Sequence, residues 1–476
     1  MGQNTATPAT LAALAADWAT AWPSAAVSAS PPSLANSQVN SRAVSIWEIT
    51  TWILPMAAEH LRRVLRQTPA LPQGMTGNQT GGQTGKSAGP ASRADSRTAS
   101  RTDSATRWFS LAEVASLRRH FAATGAAHKA YVPARPVGAS APLIALTGPL
   151  GNTGRTTTTL HLACAAALAG YKVLVIDADP GGRLAHSLGA TVGTGAGPGA
   201  AQGDTFLPLI ARAFGLHLRQ INAGRLDRGE TPLAVDDSIA TALAMDPARL
   251  PRPSAWPGLD VIAAHPDLGL ADLQIAAWQS TARSWDVGQA VAQAVEGAGL
   301  RQRYDLIFCD MGRGLGPLNM ALLTAADLLL IPVITGGRTL VRTGAPGPDL
   351  TSLAHASLAR ALQMQEAAAT MTARALGQAA RPLGWRRLMT LQIGAASVSA
   401  SGALQGTTLL PHPLPVIPQI STTGPTHFYD LDYRNVGRLT YAPLRDACDA
   451  AWRGLAAVLA ELWAEDAAKT ESVMGK

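Results

Sequence analysis

Cysteine is almost absent from this sequence of 476 residues. Cys164, Cys309 and Cys448 lie far apart, each in an apolar or helical context, and none forms a C-x-x-C pair. That excludes a disulfide scaffold, and the three read as small core residues of a reducing compartment. Charge is also sparse, at 15% of residues. No apolar run reaches the roughly 18–20 residues that a membrane-spanning helix needs. The N-terminus lacks a basic segment followed by an apolar one, so no signal peptide is expected. "MGQNTA" begins like a myristoylation site but has Ala6 where Ser or Thr is wanted. The expected compartment is the cytoplasm. Lysine is missing over a long interval: none occurs between Lys172 and Lys469.

What is present is apolar surface. Hydrophobic residues make up 47%, enough for a sizeable core, and the length predicts two to four domains. The net charge of +7 favours an anionic partner such as nucleic acid only weakly; a solvated basic surface accounts for it equally well. Residues 1–73 read as a helical, partly disordered N-terminal region. Within it, residues 41–67 have helical spacing with a break near Pro55. Met56, His60, Leu61, Val64 and Leu65 share one face, with Arg62, Arg63 and Arg66 beside it, a face suited to packing or dimer contact. Residues 74–104 are Gly-, Ser-, Thr- and Gln-rich and read as a flexible linker. In a small basic segment, 105–135, Ser110 and Glu113 form a capping box. Leu111, Val114, Leu117, Arg118 and Phe121 follow at helical spacing. Arg107, Arg118 and Arg119 leave two readings open there, a helix-turn-helix remnant or a packing helix.

The main domain is expected over 141–465. Its strand signals, from "LIAL" and "VLVID" to "YDLIFCD" and "DLLLIPVI", are continuous apolar runs separated by helical stretches. The implied fold class is α/β, a doubly wound, mostly parallel sheet covered on both faces. A Gly-, Ala- and Pro-rich insertion around 190–256 interrupts it, with a helix expected in "FLPLIARAF".

The stretch "LIALTGPLGNTGRTTTTLHLACAAALAGYKVLVIDADP" has the shape of a phosphate loop between two strands. Such a loop needs glycines so that backbone amides converge, a helix N-terminus, a hydroxyl for magnesium and a cation for the phosphates. Gly151 and Gly154 supply the turn, with Asn152 and Thr153 between them, and Arg155 stands at the cation position. Thr156 is the hydroxyl, Thr157 continues the helix, and Gly170 ends it. An arginine fork is bulkier than an ammonium and does not fill the same space. Asp177 and Asp179 end the second strand, and Asp310 ends a third, where a carboxylate can hold magnesium.

On these motifs the chain resembles the ParA/MinD group of deviant Walker ATPases, nearest to the alphaproteobacterial plasmid-partition ParA (RepA-type) proteins. "LGNTGRTT", "VLVIDADPG" and "FCDMGR" stand where that group has "KGGxGKTT", "VLxIDxDPQ" and "IDxxP". "AADLLLIPV" and "FYDLDYRNVGRLTYAPLRDACDAAW" extend the similarity, so that it covers most of the chain outside the insertion. The resemblance implies a P-loop NTPase with ATP and Mg²⁺ as cofactors. Residues 151–157 would cradle the phosphates, Thr156 and Asp310 would hold magnesium, and Asp179 would orient the attacking water. It further implies a nucleotide-dependent homodimer that binds DNA non-specifically and is nucleoid-associated. It also implies a ParB-like centromere-binding partner and no membrane attachment. Arg386, Arg387, Arg434 and Arg438 are the candidate DNA contacts. The departures fall in the chemistry: Leu150 at the signature-lysine position, Asn152 for glycine, Arg155 for the loop lysine, Gly181 for glutamine and Arg313 for proline. A pseudo-ATPase of the same fold that acts as a DNA- or partner-binding module therefore stays open. A MinD-like positioning ATPase is disfavoured by the acidic tail "LAELWAEDAAKTESVMGK".

Overall fold

In the computed structural model the described residues are 42–76, 107–124, 133, 135–148, 153–190, 205–312, 316–334, 387–394, 408–418, 420 and 426–474. Three short strands come first: β1 (Val44–Ser45), β2 (Met75–Thr76) and β3 (Arg107–Phe109). They form a small antiparallel sheet with β3 in the middle. The other eight are β4 (Leu143–Leu146), β5 (Val173–Ala178), β6 (Arg252–Pro253), β7 (Leu259–Ile262), β8 (Leu306–Met311), β9 (Leu328–Ile334), β10 (Arg387–Ile393) and β11 (Thr408–Leu409). They build one sheet in the order β11-β10-β9-β4-β8-β5-β7-β6. Every pairing in it is parallel except that of the edge strand β6.

The apolar runs have a simple cause. Successive side chains of a strand face opposite ways, so a strand covered on both sides must be apolar at every position. Ile144, Leu146, Val173, Val175 and Phe308 enter one core, and Leu143, Ala145, Leu174, Ile176 and Ile307 enter the other. The first core is covered by the helix Arg155–Ala169, the helix Arg438–Met474 and the N-terminal segments. Helices Leu207–Asp227, Val287–Gly297 and Pro317–Ala325 cover the second.

The described part of the insertion, from Thr205 on, is largely helical. The helix expected in "FLPLIARAF" runs on to Asp227 and packs against a second helix, Asp237–Ala244. Gly215 does not stop it, because the glycine is where the two helices touch. A Cβ there would lie 2.8 Å from Ile239 and 2.9 Å from Leu243. Phe214 anchors the pair to the domain, stacked on Trp278 at 5.6 Å.

The capping box at Ser110 forms, with Ser110 N–H donating to Glu113 at 2.7 Å and Glu113 N–H to Ser110 Oγ at 3.2 Å. The helix Leu111–Thr124 follows. Its Arg118 faces inward rather than outward with its basic neighbours. It donates to the carbonyls of Ala169 (3.0 Å), Leu168 and Ile53 (2.8 Å). The first two are last-turn carbonyls of the phosphate-loop helix, which lack helical donors. Gly170, at φ 102°, turns the chain away there, and a Cβ on it would lie 2.9 Å from Arg118 Cδ.

Candidate nucleotide site

Strand order sets the site. β8 lies between β4 and β5, with Asp310 opposite Leu146 on one side and Asp177 on the other. The loop leaving β4 and the acids ending β5 and β8 therefore share the carboxyl edge of the sheet, where ligands of such folds bind. Gly154 adopts φ 80° and caps the helix that begins at Arg155. The first helical bond runs from Thr158 N–H to Gly154 O at 2.8 Å. The amides of Arg155, Thr156 and Thr157 precede it, at the positive end of the helix.

Thr156 Oγ1 donates to Asp310 Oδ2 at 2.7 Å. The other carboxylate oxygen, Oδ1, is buried and has no hydrogen-bond partner. Asp177 is also buried and accepts from Ala185 N–H at 2.9 Å and Asp179 N–H at 3.2 Å, which fixes the turn after β5. Asp179 is half-buried and accepts from Gly181 N–H at 2.9 Å. Burial, then the neighbouring Asp310 charge, pushes the Asp177 carboxyl up to about 8. Burial also raises Asp310, to about 7, against the opposing pull of the Thr156 hydroxyl and the Arg155 charge. Two buried carboxyls side by side are costly for a fold, and such pairs are found where chemistry or metal binding needs them.

Arg155 is 6% exposed. Its Nη1 donates to the carbonyl of Gly148, so the guanidinium folds back over its own loop. Thr153 Oγ1 is buried beside it without a partner, and a Cβ on Gly148 would lie 3.2 Å from that oxygen. Magnesium prefers hard oxygen ligands, and the Thr156 hydroxyl with the partly unsatisfied Asp310 carboxylate fits it. The helix N-terminus at Gly154–Thr157 fits a phosphate. Leu150, Gly151, Asn152 and Arg313 lie outside the described residues.

Of the candidate DNA contacts, Arg434 and Arg438 come together. Arg434 bonds Asp432 through two nitrogens at 2.8 and 2.6 Å and lies 4.2 Å above the Trp108 ring. Arg438 lies over Trp47 at 4.7 Å and Tyr433 at 5.2 Å. Arg387 is elsewhere: it begins β10, at the sheet edge away from the loop, and is ion-paired with Glu465. Arg386 lies outside the described residues.

Sequence reasoning missed a buried histidine pair. His161 bonds the Thr157 carbonyl through Nδ1 at 2.7 Å and accepts from Phe428 N–H at 3.1 Å through Nε2. It therefore ties the first turns of the loop helix to the C-terminal segment. His427, fully buried, sits 3.3 Å from Asp430 and 3.8 Å from Cys164. Their only signal in the sequence was polarity inside apolar surroundings. Burial lowers both, His161 to about 4 and His427 to about 3. The unfolded chain, with histidines near 6.5, binds more protons between those limits, so the contribution of the neutral pair is full above about 6.5 and is lost as pH falls towards 4. Thermal melts at pH 7.5 and 5 should show a fall in midpoint that His161→Gln reduces. An equal fall in the variant would remove His161 from this account.

Residues 144–376 match the family model described as the CobQ/CobB/MinD/ParA nucleotide-binding domain. The chromosome partitioning protein ParA of Caulobacter vibrioides is 29% identical over 191 residues, 40% of this chain and 55% of that protein. A Sinorhizobium fredii protein named for replication protein A is 27% identical over 238 residues, 48% of this chain and 49% of that one. The chain thus spans about half the length of these curated relatives. A solved structure called a partition protein is 13% identical, covers 95% of this chain and 97% of its own, and has a TM-score of 0.48. No helix among the described residues is long and apolar enough to cross a membrane.

Proposed function

We propose that this chain, whose residues 144–376 match the CobQ/CobB/MinD/ParA nucleotide-binding domain, is a ParA-like partition protein. In this reading a magnesium nucleotide switches a homodimer between states of high and low affinity for DNA. The observation that carries it is the Thr156–Asp310 pair at 2.7 Å, with one carboxylate oxygen buried and unpartnered at the carboxyl edge of the sheet. Thr156 and Asp310 would hold Mg²⁺, the amides from Gly154 to Thr157 would receive the phosphates, and Asp179 would orient water. ATP would supply the phosphoryl group, and Arg155 the only cation of this loop near it. Hydrolysis is slow in this account, because Arg155 is engaged with Gly148 and Leu150 brings no charge. Each lost electrostatic contact commonly costs roughly 10²–10³ in rate.

Arg434 and Arg438 would meet DNA phosphates, which need clustered cations and no base readout. A ParB-like protein would be the partner, in the cytoplasm on the nucleoid. The pseudo-ATPase reading is favoured by one observation, the guanidinium turned onto Gly148. Fluorescence anisotropy with a duplex of arbitrary sequence separates the two. MgATP is expected to tighten duplex binding by about tenfold or more; identical affinity with and without nucleotide would remove the switch.

A further inference from the structure

A cavity of about 190 Å³ opens on the N-terminal module, far in sequence from the nucleotide loop, lined by Ile46, Glu59, Arg62, Arg66 and Arg107. Arg62 and Arg66 are one turn apart on the helix Ala58–Gln67. Arg107 comes from β3 and holds the wall by donating to the Gln73 carbonyl at 3.3 Å and side chain at 3.2 Å. Glu59 is the only acid among the described lining residues. Its carboxylate reaches Arg62 at 3.2 Å and Arg66 at 3.3 Å, with its side chain 71% exposed. Two guanidiniums on one exposed carboxylate, with a third in the same lining, make the described lining net positive, with an internal anion in the place of an external one.

The C-terminal arginines rest on residues next in the chain to two of the lining residues. Arg434 stacks on Trp108, the residue after Arg107, and Arg438 stacks on Trp47, the residue after Ile46. The module therefore gathers five guanidiniums from three distant segments. Arginine forks match the oxygens of a phosphate, and several forks within one module match a backbone carrying a phosphate at every step.

We propose that this arginine-lined cavity is a phosphate subsite for the backbone of duplex DNA, with Glu59 as the internal competitor that the phosphate displaces. The proposal rests on the DNA reading above and locates half of that grip in the N-terminal module. Displacing Glu59 frees Arg62 and Arg66 without moving the fold, since the ion pairs are exposed and contribute little stability.

The test is a salt series of anisotropy titrations with a labelled duplex of arbitrary sequence. The proteins are the full chain, Glu59→Gln, Arg62→Ala with Arg66→Ala, and Arg434→Ala with Arg438→Ala. Glu59→Gln should bind several-fold tighter. The Arg62/Arg66 double variant should bind about tenfold weaker, and its slope of log affinity against log salt should fall by about two, one for each phosphate contact. ATP affinity, measured on the same preparations, should be unchanged in both. Unchanged duplex affinity and slope in Glu59→Gln and Arg62/Arg66, with loss in Arg434/Arg438, would overturn this proposal and leave the DNA reading standing. Failure of the unmodified chain to bind duplex would overturn both.

Discussion

Replacing Asp310 by Asn is expected to lower the magnesium-dependent affinity for ATP by about 100-fold, the upper range for disturbing a metal site. The fold should not suffer. Asp310 is buried, keeps one oxygen without a partner and lies opposite Asp177 in the register of β5 and β8. An amide retains the acceptor that Thr156 uses and removes a charge from an apolar interior, where an unpaired charge is costly. In metal-free buffer the thermal midpoint of Asp310→Asn should therefore equal or exceed that of the unmodified chain. Titration calorimetry with and without Mg²⁺, beside a melt without metal, reads both effects. A variant that loses several degrees would mean that Asp310 is structural. One that keeps magnesium-dependent binding would remove Asp310 from the metal site.

The second large effect concerns the loop. Arg155→Lys together with Leu150→Lys and Asn152→Gly should raise ATP turnover by at least about 10². Two groups are being asked to supply transition-state charge, each commonly worth roughly 10²–10³. The guanidinium is bonded to the Gly148 carbonyl, a position that an ammonium on a slimmer stem leaves more readily. Asn152→Gly restores the backbone freedom that lets amides close on a phosphate. Phosphate release under single-turnover conditions measures the gain. A triple variant no faster than the parent would locate the slow step outside the loop.

Much of this site could be read in the sequence, because it depends on order along the chain. A strand, a Gly-containing turn and a Thr-rich helix start place a hydroxyl at a sheet edge. Acids ending later parallel strands must arrive at the same edge. Thr156 and Asp310, 154 positions apart, meet at 2.7 Å for that reason alone. What could not be read depended on contacts between distant segments. In the sequence, Arg118 counts with Arg107 and Arg119 as part of a basic segment and falls at the spacing of the apolar residues, with no partner in view. Its inward turn follows from the unpaired carbonyls of Leu168 and Ala169, which local spacing cannot reveal. The helix expected in "FLPLIARAF" ends before Gly215, and the approach of Ile239 and Leu243 shows why a glycine sits where the longer helix passes. The same holds for Arg434 and Arg387, two candidates of one residue type. One stacks on a tryptophan from the N-terminal module, the other pairs with the C-terminal helix at the far edge of the sheet.

The central claim is that a working magnesium side survives in a loop whose cation has changed, and equilibrium ATP binding by the unmodified chain tests it most directly. Calorimetric titration at equal protein concentrations, once with Mg²⁺ and once with a chelator, should give stoichiometric binding that weakens by at least about tenfold when the metal is removed. No binding in either buffer, or binding of equal strength in both, would contradict the account.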